Sequence, residues 1–150
     1  MNSSLKNYLN DTNIIIVIDS LDGGGAESQA IKLANGLKKE NINITLFPLR
    51  SGGVLTKHAK DLDIELIEGN LQSSRNIKSF VKGFILLCKT IRLKNPAIVH
   101  AFLPLSNFFG SLAGLISSAK YTITSRRGLI KLNYIKKRWR LIDKISNFLS

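Results

Sequence analysis

Apolar residues along this chain follow two rhythms. Residues 13–19, NIIIVID, form an unbroken β-branched run of the kind found in a strand buried on both faces. After a cluster of glycines, Ala26, Ala30, Leu33, Ala34 and Leu37 recur at helical spacing to about Glu40. NITLFPL (43–49) predicts a second strand, Ser51-Gly52-Gly53 a turn, and the residues up to Leu62 a short helix. IELIE (64–68) predicts a third strand. A helix follows over 74–95, with Ser74 or Asn76 as its cap and Pro96 as its stop. AIVHAF (97–102) reads as strand four, residues 105–117 as a helix rich in small side chains, and YTITS (121–125) as strand five. From about Asn133, the residues Ile135, Trp139, Ile142, Ile145 and Leu149 trace one face of a last helix.

Strand and helix thus alternate five times, with no hairpin signal between strands. That pattern calls for an α/β fold: a doubly wound parallel sheet with helices on both faces, in strand order of about 3-2-1-4-5. Residues 1–12 form a polar leading segment, and 13–150 form one domain with no internal repeat.

Composition changes the picture in three places. The formal charge is +12, and residues 126–150 hold eight Lys or Arg against the single acid Asp143. Such a basic tail suits an anionic partner or a merely solvated face. The aromatics Tyr134 and Trp139 lie in this tail, but Trp139 fits the apolar stripe and no nucleic-acid motif is present, so nucleic acid is not an expected partner. The one cysteine, Cys88, excludes an internal disulfide and a multi-cysteine zinc site; it is expected to pack, in a reducing compartment. Residues 97–119 approach the length of a membrane span, yet Pro104 divides a strand-like part from a helix-like part. The apolar run 14–18 is too short for a secretion leader.

Ligands of an open parallel sheet bind beyond the strand carboxyl ends, where strand order reverses. Here that crevice lies beside strands one and four, between the loop 19–25 and residues 100–104. Gly23, Gly24 and Gly25 stand where a helix begins, so they serve as a tight turn or as a cradle for a phosphate. A dinucleotide site fits poorly: Gly23, Gly25 and Ser28 lack the third glycine, and strand two ends in Pro48, Leu49 and Arg50 rather than in an acid. No G-K-[ST] follows, which removes a P-loop.

Taken together, four stretches resemble the N-terminal, Rossmann-like domain of a GT-B fold, family 4-type glycosyltransferase. They are GGAE (24–27), NPAIVHAFLP (95–104), NFFGSLAG (107–114) and TSRRG (124–128). Ala97 stands where the family usually has Asp, and Phe102 where some relatives repeat a His. The resemblance implies a hexosyltransferase-type enzyme with a nucleotide-sugar donor and a saccharide or lipid-linked acceptor, with no cofactor and no metal. It places Gly24, Gly25, Ala26 and Glu27 at the donor diphosphate or cleft loop, with Glu27 pointing into the cleft or back across the first helical turn. His100 is either a cleft contact or a half-buried histidine satisfied by backbone. Asn107, Ser125, Arg126 and Arg127 become acceptor or anion contacts.

Arg126 falls where many relatives carry a His. A guanidinium stays protonated, so Arg126 suits an anion clamp better than a general base, unless both arginines form a structural salt bridge. His100 and Arg126 remain the catalytic candidates. The resemblance also implies polysaccharide or glycolipid assembly for the cell envelope, at the cytoplasmic face of the membrane, with anionic lipid as a further partner. It further implies a chain truncated before its last strand and before the C-terminal donor domain, and inactive alone. The alternative is a non-catalytic module that docks on an anionic membrane or a partner through its basic C-terminal helix.

Overall fold

The computed structural model describes residues 12–72, 77–117 and 119–125. The expected last helix, with Arg126 and Arg127 before it, lies outside the described residues. The elements run β1 (Asn13–Ile18), α1 (Gly25–Lys39), β2 (Asn43–Pro48), α2 (Thr56–Asp61), β3 (Glu65–Leu66), α3 (Ile77–Lys94), β4 (Ile98–Phe102), α4 (Pro104–Ile116) and β5 (Tyr121–Ser125). All strand pairs are parallel, and the sheet order is β3-β2-β1-β4-β5.

β1 occupies the centre, and Ile15 to Ile18 are fully buried because both sheet faces are covered. Parity sorts its side chains. Ile14, Ile16 and Ile18 join Ala30, Ile31 and Ala34 of α1 and Leu46 of β2 in one core layer. Ile15 and Val17 join Val99, Ala101 and residues of α3 and α4 on the other face, where Cys88 also packs. Each buried isoleucine side chain contributes about 1.5–3 kcal/mol through burial alone, so β1 is the spine of the domain.

β3 is shorter than IELIE suggested. Only Glu65 and Leu66 pair regularly with Thr45 and Leu46 of β2. The chain beyond still follows β2 and its extension: Ile67 N–H donates to Leu46 O, Gly69 N–H to Pro48 O and Leu71 N–H to Leu49 O. An edge segment can leave regular geometry in this way without orphaning its backbone.

The small residues of α4 have a packing reason. A Cβ on Gly110 would sit 2.8 Å from the Cβ of Ala101, so glycine lets the helix lie close on β4. Ala113 is fully buried one turn further on. The NFFGSLAG stretch is therefore an interface of helix with sheet. Pro104 begins α4 directly after β4, so residues 97–119 are a strand and a helix; among the described residues no helix is long and apolar enough to cross a membrane.

Candidate functional site

The carboxyl ends of β1 and β4 are neighbours, with Ile18 in register with Phe102. From them the chain departs to opposite faces, into α1 on one side and α4 on the other. Strand order reverses at this point, where open parallel sheets bind their ligands in a crevice.

The glycine loop forms one wall. Gly23 takes φ +107, and a Cβ there would meet Val54 at 2.9 Å. Gly53, at φ +100, leaves even less room: a Cβ would lie 2.5 Å from the Leu21 backbone. These two glycines lock the loops after β1 and β2 together, aided by the Leu55 N–H bond to Leu21 O. Gly24 is the N-cap of α1, in extended conformation and without a side-chain cap. Gly25 opens the helix, and the space where its Cβ would project is empty to 4 Å. Gly24 and Gly25 are both exposed, while Ala26 and Glu27 are half-buried. The Glu27 carboxylate folds back beside Gly24, across the first helical turn, where the helix dipole stabilises an acid.

The opposite wall contains a contact that sequence reading missed. Asp19, directly after β1, accepts hydrogen bonds from the backbone N–H of Ser106 (2.7 Å) and from the Ser106 hydroxyl. Ser106 is the third residue of α4 and fully buried. The carboxylate thus supplies the cap that Leu103, the N-cap of α4, does not. Burial pushes the Asp19 carboxyl above its ordinary range, and Glu27 adds to that; the Ser106 bonds and the Arg50 charge pull the other way. Leu103 itself takes φ +76 and ψ 157, a conformation normally reserved for glycine. The turn from β4 into α4 is therefore held in an unfavourable backbone state by its surroundings. The available signal for Asp19 was an acid ending an apolar strand at the switch point.

His100 lies on the α1 face of β4, half-buried, with its ring 4.3 Å from the Phe102 ring. Its Nε2 is 2.8 Å from the Ser125 hydroxyl. The structure therefore brings together two of the candidates, one in the middle of β4 and one at the end of β5. Asn107 is 2% exposed; with its amide assigned to satisfy the surrounding carbonyls, the nitrogen faces β4 and donates to Ala101 O (2.8 Å) and Leu103 O (3.2 Å). Its amide nitrogen thereby ties α4 to the end of β4. A groove of about 520 Å³ lies at the other edge of the sheet, among Asn13, Lys38, Thr45, Asp63, Glu65 and Lys94. Its charges are paired, Lys38 with Asp63 and Lys94 with Glu65, and it lies far from the switch point, so the crevice is the better candidate.

The parallel order, the crevice and the glycine-led helix define a class: the chain has the fold of the N-terminal domain of a GT-B glycosyltransferase. Solved structures share it, two of which follow. A glycosyltransferase from Rickettsia africae ESF-5 matches with TM-score 0.67 and 26% identity, over 82% of this chain and 31% of its own. MurG from Acinetobacter baumannii matches with TM-score 0.71 over 93% of this chain and 40% of its own; at 11% identity the likeness is one of fold. This chain therefore spans well under half of either protein. No protein-family model and no curated protein matches the sequence.

Proposed function

We propose that this chain is the acceptor-side half of a family 4-type glycosyltransferase that moves a hexose from a nucleotide sugar to a saccharide or lipid-linked acceptor. The observation that carries the reading is the start of α1. It lies beside the point where strand order reverses, the space in front of Gly25 is empty, and the helix dipole favours an anion there. A donor diphosphate has the charge and size for that position. His100, in the middle of β4, reaches Ser125 at the end of β5, and a histidine there can accept or relay the proton released by an acceptor hydroxyl. Arg126 follows Ser125 directly and is the proposed anion clamp, with Arg127 beside it.

A second domain supplies the remaining donor contacts in this reading, supported by the fraction of the matched structures that the chain covers. The work would be done at the cytoplasmic face of the membrane, in envelope polysaccharide or glycolipid assembly. Calorimetric titration of the chain with UDP-glucose, UDP-N-acetylglucosamine and GDP-mannose tests the reading. Weak binding of at least one donor, abolished by excess nucleoside diphosphate and without turnover, is expected. Equal indifference to all three donors contradicts the site, and robust sugar transfer by the chain alone contradicts the half-enzyme.

A further inference from the structure

The two edges of the sheet are built differently. β3 pairs regularly over Glu65 and Leu66 alone, carries the Glu65–Lys94 ion pair and then leaves strand geometry. A short regular stretch and charge are common means of keeping an edge from recruiting another strand. β5 has neither. It pairs with β4 over all of Tyr121–Ser125, and its sequence, YTITS, contains no charge and no proline. Tyr, Thr and Ile all favour strands. Among the described residues nothing pairs with the outer side of β5.

The direction of each backbone group in β5 follows from its bonds to β4. Tyr121 N–H donates to Ala97 O, and Ser125 O accepts from Leu103 N–H. Residues 121, 123 and 125 therefore turn their backbone towards β4, while Thr122 and Thr124 turn theirs outwards. The side chains alternate as well. Tyr121 and Ile123 are in register with Ile98 and His100, which places them on the α1 face of the sheet. α1 packs over β1 and β2, with β4 between them and β5. Tyr121 and Ile123 accordingly remain 60% and 44% exposed.

An antiparallel copy of the same strand fits this edge. With a twofold axis at Ile123, Thr122 meets the partner's Thr124, and Thr124 meets the partner's Thr122. Both are hydrogen-bonded pairs, because the backbone of these residues faces outwards in each copy. Between them Ile123 meets the partner's Ile123 at the closer, non-hydrogen-bonded spacing, and Tyr121 meets the partner's Ser125. Thr–Thr and apolar cross-strand pairs are favourable, and no like charges face each other within the strand. The edge is complementary to itself in hydrogen bonds and in side chains, which singles out a second copy as its occupant.

We propose that two copies of this chain pair β5 with β5, antiparallel about Ile123, and so join their sheets into one. A single pairing of this length is at the small end of specific interfaces, so the expected Kd is about 0.1 mM. The partner's Tyr121 then stands beside Ser125, whose hydroxyl is bonded to His100. Only the use of that ring at the crevice rests on the sugar-transfer reading. The pairing itself is observed without any donor, so its failure and that of the reading are separable.

Sedimentation equilibrium of the full chain, from about 10 µM to about 1 mM, should show a monomer passing into a dimer. Each copy carries a formal charge of +12, which opposes pairing. The dimer should therefore strengthen about threefold or more as salt rises from about 0.05 to about 0.5 M. Ile123→Lys sets two ammonium groups at the axis and should weaken the dimer about tenfold or more. Cysteine variants in a Cys88→Ser background read the register independently. Ile123→Cys should form a disulfide between copies under mild oxidation, since Cα atoms facing at this spacing lie about 4.5 Å apart. Tyr121→Cys faces the partner's Ser125 instead of its own counterpart, and should cross-link about tenfold more slowly. A monomer at every concentration overturns the proposal, whether the edge stays bare or the chain's own residues 126–150 cover it. Equal cross-linking at 121 and 123, or a dimer untouched by Ile123→Lys, overturns it as well.

Discussion

α1 and α4 begin at the carboxyl ends of neighbouring strands and present opposite faces to one crevice. The start of α1 has a glycine cap without a side-chain hydrogen bond, the Glu27 carboxylate folded back beside Gly24, and room in front of Gly25. The start of α4 is sealed, because a carboxylate from β1 already occupies the position an external anion would take. Each helix has an acid near its third residue, but Glu27 belongs to α1 itself, whereas Asp19 reaches α4 from another strand. The difference assigns roles. α4 is anchored by a carboxylate from another segment and fixes the turn after β4, while α1 has only its own Glu27 beside its first turn and open space in front of Gly25.

Removing the seal should have the largest effect. Asp19→Ala leaves the Ser106 N–H and hydroxyl buried without an acceptor, at a cost of about 3 kcal/mol in urea unfolding. Asp19→Asn keeps an acceptor and removes the buried charge, so its loss should be much smaller. The two should also differ in pH dependence. Burial holds the folded carboxyl above its ordinary range, so its protonated form is the one folding favours. Its stabilising contribution is complete below the ordinary carboxylate value and declines as pH rises through the folded one. Stability of the wild type relative to Asp19→Asn should therefore fall across that window; a rise would mean the carboxylate is bound more tightly than its burial opposes.

The glycines sharpen the comparison next. Gly53→Ala forces a Cβ into the Leu21 backbone at positive φ and should cost about 2 kcal/mol. Gly25 is not among the positive-φ residues, and its Cβ direction is free, so a side chain there strains nothing within the chain. Gly25→Val should fold almost as the wild type yet bind a nucleoside diphosphate about tenfold more weakly, about 1.4 kcal/mol. Equal binding would show that the open space is not used.

The smallest effect is expected at the far edge of the sheet. Burial raises the Glu65 carboxyl, but hydrogen bonds from Lys94 and Thr45 bring it below its ordinary range. Its contribution is therefore present above the unfolded value and lost as pH falls through the folded one. The pair is well exposed and screened, so Glu65→Gln should cost about 0.5 kcal/mol, less in high salt. A larger loss would make the groove there more than a solvated rim.

The fold was legible wherever burial imposed a period. β1 had to be central because no polar residue interrupts residues 14–18, and α1 and α4 declared themselves by spacing. β3 was overestimated because IELIE alternates well, while a partner on one side supports only two regular residues. The glycine loop was legible because Gly24 and Gly25 sit between an apolar run and an amphipathic one. Asn107 was legible as a motif residue, but its burial against the β4 backbone depends on how closely α4 approaches the sheet. The Asp19–Ser106 tie joins residues 87 apart in sequence. It becomes foreseeable only once strand order places the end of β1 beside the helix that follows β4.

The central claim is that an anion enters at α1 and not at α4. Two-dimensional ¹H–¹⁵N spectra of the chain, titrated with UDP, read both helix starts in one experiment. The amides of Gly24, Gly25, Ala26 and Glu27 should shift progressively and saturate together, while the Ser106 amide, held by Asp19, should stay in place. Saturable shifts at Ser106 with a silent glycine loop would contradict the account.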